Sequence, residues 1–198
     1  FQEVVWRVKP DLIVETGVAH GGSLVLSASL LALLDLCENN QTTLVPDELK
    51  PRKVIGIDIE IRPHNRRALE DHPLYPRMLL LEGSSTSPEI VNQVESAAQN
   101  HQNILVCLDS NHTHQHVYDE LLAYSSLVTP GSYCIVYDTV IEDMPGESFK
   151  NRPWGPGNSP KTAVHQFLKD HPEFVIDEEI AANLLITVAP DGWLRRVK

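Results

Sequence analysis

Short apolar runs alternate with helix-period segments along the whole chain. Residues 12–15, 54–58, 78–82, 104–109 and 133–138 are nearly continuous apolar stretches, the pattern of strands covered on both faces. Two further runs, 174–177 and 184–189, read as strands near the C-terminal end. Between them, residues 24–36, 65–71, 88–100, 115–127 and 161–170 carry helical spacing. Such alternation predicts a doubly wound α/β fold with right-handed crossovers, built as one domain over residues 1–198. Two stretches break the rhythm. Residues 38–50 read as a polar loop, and residues 140–160, rich in Pro and Gly, as a long structureless one. The second leaves the C-terminal end of the fifth strand, the edge where open α/β sheets bind ligands. A loop of that length acts as a lid, or packs on itself or on another subunit. As a lid it would turn Trp154 and Met144 toward a substrate.

The junction after the first strand carries the most chemistry. Glu15-Thr16-Gly17-Val18-Ala19-His20-Gly21-Gly22-Ser23 follows Leu12-Ile13-Val14 and reads as a strand, a glycine turn and a helix N-terminus. Glycines let the backbone turn sharply and approach a ligand with no Cβ in the way. The helix start behind them offers free N–H groups. Gly17-x-x-x-Gly21-Gly22 lacks the middle glycine of a dinucleotide fingerprint, and no Gly-Lys-Ser/Thr follows to make a P-loop. The carboxylate of Glu15 at the strand end points to a ligand with a positive or hydroxyl-rich part, which favours S-adenosylmethionine over a dinucleotide.

Charge and composition narrow the partners. A formal net charge of −11 disfavours nucleic acid and anionic membrane surfaces. The longest apolar run, residues 24–36, carries serines and Asp35 and is too short to span a bilayer. The three cysteines, Cys37, Cys107 and Cys134, have no metal spacing. Cys107 and Cys134 lie in strand-like runs as buried free thiols, which suits a reducing, cytoplasmic compartment. Phe1 in place of Met implies that a further segment precedes this chain in the whole protein.

Acidic residues collect at one sheet edge: Glu15, Asp58, Asp109 and Asp138 each close a strand. Asp58 stands where a ribose-binding acid belongs, its two oxygens suited to the 2′ and 3′ hydroxyls. Gly83-Ser84-Ser85, after the third strand, would lie beside the adenine. Asp109 opens Asp109-Ser110-Asn111-His112-Thr113-His114-Gln115-His116. Carboxylate and imidazole at a strand end suit a divalent ion with a general base beside it. Asp138 supplies a second hard oxygen ligand, and Thr139 a hydroxyl. His112 is the candidate base, and His116 reads as an ordinary first-turn helix residue.

Ile13-Val14-Glu15-Thr16-Gly17 with Gly21-Gly22-Ser23, the Asp109–His114 stretch, Gly131-Ser132-Tyr133, Arg152-Pro-Trp-Gly-Pro-Gly157, Pro160-Lys161-Thr162-Ala163-Val164 and the segment from Leu185 to Gly192 resemble the cephalosporin hydroxylase family, which includes rhamnosyl O-methyltransferases. The resemblance implies a Rossmann-like class I methyltransferase sheet of seven strands, mostly parallel with the last antiparallel, and dependence on Mg2+ or a similar divalent cation. It places S-adenosyl-L-methionine on Glu15, Gly17, Gly21, Gly22, Ser23, Asp58, Gly83, Ser84 and Ser85, and metal on Asp109 and Asp138. His112 holds the place of the lysine base in the more distant catechol-type O-methyltransferases, three residues after the metal-binding Asp109. Some relatives carry Glu-Asp where this chain has Tyr137-Asp138, which leaves the third metal ligand open among Thr139, water, Glu142 and Asp143.

The expected activity is methyl transfer to the hydroxyl of a small molecule, by resemblance a sugar or natural product. His112 and Asp109 form the catalytic pair, and a homo-oligomer is the expected assembly. One alternative takes Asp109, His112 and His114 as a 2-His-1-carboxylate iron triad for hydroxylation. Another is a cofactor-binding assembly domain without catalysis.

Overall fold

The computed structural model describes residues 1–39, 52–184 and 186–198. The expected loop at 38–50 lies outside the described residues from 40 onward. The chain forms two compact units, Phe1–Leu105 and Val106–Lys198.

The first unit opens with α1 (Gln2–Val8), a short amphipathic helix that buries Val4 and Val5 and ends at Lys9 in left-handed conformation. It has too few turns to stand out as a periodic signal. Then come β1 (Leu12–Thr16), α2 (Gly22–Asn39), β2 (Lys53–Asp58), α3 (Pro63–Glu70), β3 (Met78–Glu82) and α4 (Pro88–Ala98). Strand β2 lies parallel between β1 and β3, with Glu15 beside Gly56 and Asp58 beside Glu82. Every residue of β1 is buried, which is why it reads as an unbroken apolar run rather than an alternating one. Helix α4 starts on Ser87, whose hydroxyl accepts the Ile90 N–H, with Pro88 at the first helical position. Asp35, out of place in apolar α2, is buried and paired with fully buried Arg77. Burial of one charge requires burial of its partner here.

The second unit holds β4 (Ile104–Leu108, begun at the end of the first), α5 (His114–Tyr124), β5 (Tyr133–Val136), α6 (Pro160–Asp170), β6 (Phe174–Ile176), α7 (Glu178–Leu184) and β7 (Trp193–Arg196). Strands β4 and β5 are parallel, and β7 runs antiparallel to both β5 and β6. The expected α/β class therefore holds, with seven strands among the described residues, mostly parallel, and an antiparallel last one.

The position of that last strand needs correcting. Residues 184–189 do not form it: Leu184 ends α7, Ile186 and Val188 are 90% and 52% exposed, and Leu185 lies outside the described residues. The strand is Trp193–Arg196, which buries Trp193 and Leu194. It is set by the turn before it, where Gly192 presses on β5. A Cβ there would stand 2.1 Å from the Val136 carbonyl oxygen, and the Val136 N–H donates to the Gly192 carbonyl. Hydrophobic content favoured the wrong segment, because the true strand ends in two arginines.

The loop at 140–160 is not structureless either. It contains two 3-10 turns, Thr139–Asp143 and Gly146–Phe149, and a bridge between Gly155 and Asn158. The Glu142 carboxylate accepts the Gly157 N–H and the Ser159 hydroxyl, tying the two ends of the loop together.

Candidate functional site

In the first unit the glycine turn is built around Asp58. Gly17 and Gly21 adopt φ of 90° and 82°, and Ala19 joins them at 45°, a region that costs most side chains energy. The turn is held by the Gly17 N–H on the Ile57 carbonyl at 2.7 Å and the Gly21 N–H on that of Val18 at 2.7 Å. Asp58 Oδ2 accepts the N–H groups of both Val18 and Ala19 at 2.9 Å. Its Oδ1 takes a longer bond, 3.3 Å, from the Glu60 N–H and retains acceptor capacity. The Asn65 side-chain amide, which the sequence reading missed, donates to the Ala19 carbonyl at 2.8 Å and closes the turn from α3. No local motif marks Asn65, whose bond to Ala19 joins residues 46 positions apart.

Glu15 is buried, and its carboxylate accepts the Ser23 hydroxyl and, at 3.5 Å, that of Ser27. Its visible role is to fasten the start of α2 to the end of β1. Gly22 has open space where a Cβ would go, whereas a Cβ on Gly21 would run into Leu69. Gly83 joins the same cradle through its N–H on the Asp58 carbonyl at 2.8 Å. Ser84 lies 3.2 Å from the Thr86 hydroxyl, and Ser85 is buried.

The second unit brings Asp109, His112 and Asp138 together, with one ligand-type atom of each within 4.8 Å of the others. His112 Nε2 lies 3.1 Å from Asp138 Oδ2 and 3.7 Å from Asp109 Oδ1. Asp138 sits at φ 55°, just past β5, a left-handed turn that aspartate tolerates better than most residues. Burial pushes its carboxyl above the usual carboxylate range; the His112 imidazole opposes this, and the Asp109 charge adds to it. The Asn111 side chain accepts the N–H and hydroxyl of Thr113, an Asx turn that sends His112 back toward both carboxylates.

Three candidates for a further ligand are engaged elsewhere. The Thr139 hydroxyl donates to the Pro190 carbonyl at 2.6 Å, Glu142 holds Gly157 and Ser159, and Asp143 pairs with Lys161. The third ligand-type atom is that of His112, expected from the sequence as the base of the methyl transfer and as a metal ligand only in the iron-triad alternative. The iron triad does not form: His114 Nδ1 meets the Thr162 hydroxyl at 2.7 Å and its Nε2 meets Gln166 at 2.9 Å, so both ring nitrogens join α5 to α6. Trp154 does reach the cluster, its ring edge-on to His112 at 4.9 Å, with Arg152 over its face at 5.2 Å. Met144 is exposed.

Solved structures share the fold. One of CmcI with Mg and SAM matches all of this chain and 69% of its own at a TM-score of 0.59 and 18% identity. The MycE methyltransferase of the mycinamycin pathway, in complex with Mg and SAH, matches 89% of this chain and 41% of its own at 0.53 and 17% identity. Among curated proteins, the rhamnosyl O-methyltransferase of Mycobacterium bovis is 28% identical over 99% of this chain and 71% of its own length. That of Mycobacterium leprae is 26% identical over 73% of this chain and 56% of its own. Fold and relatives together define an S-adenosylmethionine-dependent O-methyltransferase. The family profile described as rhamnosyl O-methyltransferase/CmcI matches residues 1–197, and the chain belongs to that family.

Proposed function

We propose that this chain is a divalent-metal-dependent enzyme that moves the methyl group of S-adenosylmethionine to a hydroxyl of a small molecule, both units serving one methyltransferase domain. The observation that carries the reading is the convergence of Asp109, His112 and Asp138 in a chain whose first unit carries a ligand-ready glycine turn.

Two carboxylates with an adjacent imidazole fit a hard cation such as Mg2+, which keeps part of its water shell and takes few protein ligands. A raised Asp138 carboxyl and a like-charged neighbour are the electrostatics that a cation relieves. When bound, the cation lowers the pKa of a coordinated hydroxyl. Within the chain, Asp109 and Asp138 would hold it, and His112 Nε2 would accept the proton that leaves the acceptor hydroxyl. The freed oxygen forms a bond to the methyl carbon as the carbon–sulfur bond breaks, and the electron pair stays on sulfur. Asp58 Oδ1 would take the ribose hydroxyls, and the backbone at Gly21 and Gly22 would lie along the amino-acid end of the cofactor. Positioning supplies most of the acceleration in such a transfer.

The acceptor is a hydroxyl of a sugar or natural product, supported by the rhamnosyl name of the curated relatives and by a MycE complex with Mycinamycin VI. Cytoplasmic residence is supported by the buried thiols Cys107 and Cys134, neither of them in a disulfide, and a homo-oligomer by exposed Ile186 and Val188. Among the described residues no helix is long and apolar enough to cross a membrane.

Calorimetric titration with S-adenosylmethionine, with and without Mg2+, tests the proposal. Micromolar binding that weakens in Asp58→Ala supports it. Absence of binding in both conditions, from protein with a cooperative unfolding transition, refutes it.

A further inference from the structure

Glu120 on α5 is fully buried, an unusual place for a carboxylate. One of its oxygens, Oε1, accepts the Ser110 hydroxyl at 2.7 Å and lies 3.4 Å from His116 Nε2. Ser110 also stands 3.1 Å from the same imidazole nitrogen. The other oxygen, Oε2, has no hydrogen-bond partner among the described residues. A buried acid left half-satisfied costs stability, and an apolar residue at the same place would avoid that cost. Its retention calls for a task beyond packing.

The task is legible in what Ser110 adjoins. Ser110 follows Asp109 directly and is itself exposed, so packing does little to hold it. The Asx turn of Asn111 on Thr113 fixes the His112 side of this loop, and the bond from Ser110 to Glu120 fixes the Asp109 side. Asp109 and Asp138 repel each other, and a loop released at Ser110 would hold Asp109 less firmly against that repulsion.

We propose that Glu120 is a positioning residue: through the Ser110 hydroxyl it holds Asp109 in place to share a divalent cation with Asp138. This rests on the metal reading above. Groups standing behind metal ligands typically change affinity by about 10–100-fold when removed.

The test uses Mn2+ as probe, with affinity read by calorimetry and by electron paramagnetic resonance of the free ion. Amide exchange of residues 109–113 is followed in parallel on metal-free protein. Ser110→Ala, an exposed substitution with little risk to folding, is expected to weaken Mn2+ binding about tenfold and to speed exchange in this loop. The unfolding midpoint should fall by no more than the loss of one hydrogen bond to the buried carboxylate, since His116 Nε2 still lies 3.4 Å from Glu120 Oε1. Ser110→Thr, which keeps the hydroxyl, should restore both readouts. Glu120→Gln should cost less than Ser110→Ala, because an amide oxygen still accepts. The double variant should be no worse than Ser110→Ala alone, since one acts through the other. Additive losses, or Mn2+ affinity unchanged in Ser110→Ala while the wild type binds, overturn the positioning role alone. A wild type that takes up no Mn2+ overturns the metal reading, and this role with it.

Discussion

Replacing Asp138 with asparagine should make the metal-free protein more stable while abolishing its response to Mg2+. Asp138 combines partial burial, a left-handed backbone and a like-charged neighbour in Asp109. Asparagine accommodates that backbone equally well and can still pair with His112, but it removes the repulsion. At the separation of this cluster, within 4.8 Å, two unit charges interact by about 1 kcal/mol in water and by a few kcal/mol at an effective dielectric near 20. Asp138 is one-third exposed, so screening favours the low end, and the lost His112 attraction takes back part of the gain. A net stabilisation of about 1 kcal/mol is expected near pH 7.5 in EDTA.

The sign of the pH dependence follows from the raised carboxyl. The folded state binds its proton more tightly than the unfolded chain, so wild-type stability falls as pH rises from the ordinary aspartate range through the folded-state pKa. The Asp138→Asn variant has no such dependence. Its advantage should therefore be absent in acid and open as pH rises through that window. Urea unfolding at several pH values measures it. With Mg2+ added, the wild type should gain stability in proportion to the logarithm of cation concentration, and the variant should not. A variant less stable than the wild type in EDTA at neutral pH would refute the reasoning. The Asp138–His112 contact would then be a structural ion pair rather than half of a cation site.

Two further outcomes test the frame around the site. Gly21→Ala should lose about 2–3 kcal/mol, because it forces a side chain into left-handed backbone and against Leu69; Gly22→Ala, with open space around it, should stay within about 1 kcal/mol of the wild type, and equal denaturation midpoints for the two would refute this. Among the thiols, exposed Cys37 should react with an alkylating reagent in the native protein, whereas Cys107 and Cys134 should react only on unfolding. Burial, followed by the Glu120 charge, pushes the Cys134 thiol far up, so its labelling in the native state would contradict the structure.

Strands β1, β2, β4 and β5 were legible because strands buried on both faces spell themselves as apolar runs, β3 because it stays apolar even though Leu79 is exposed, and strand ends bounded the acids at Glu15, Asp58, Asp109 and Asp138. Strand β7 was not legible, since Trp-Leu-Arg-Arg is less apolar than the exposed Ile186–Val188 stretch upstream, and only the fit of Gly192 against Val136 distinguishes them. Short helices α1 and α7 lacked enough turns for a period to register. The roles of the histidines depended on partners far along the chain. His114 meets Thr162 and Gln166 across a separation no local motif encodes, and nothing near His116 marked Glu120 as a buried acid rather than a solvated one. The same applies to Asn65, whose bond to Ala19 spans the whole of α2 and β2.

The internal bracing of residues 140–160 bears on the thermodynamics of acceptor recognition. Glu142 binds Gly157 and Ser159, Asn158 accepts the His114 N–H, and Lys161 holds Asp143, so the segment carrying Trp154 is already ordered before any substrate arrives. A floppy flap would surrender conformational entropy on closing over a ligand, roughly 1–2 kcal/mol for each backbone residue fixed. A braced strap gives up little. On the proposed function, selectivity among acceptors would reside in the shape the indole presents beside His112, and a poor acceptor would be rejected by misfit rather than accommodated by a loop that refolds around it.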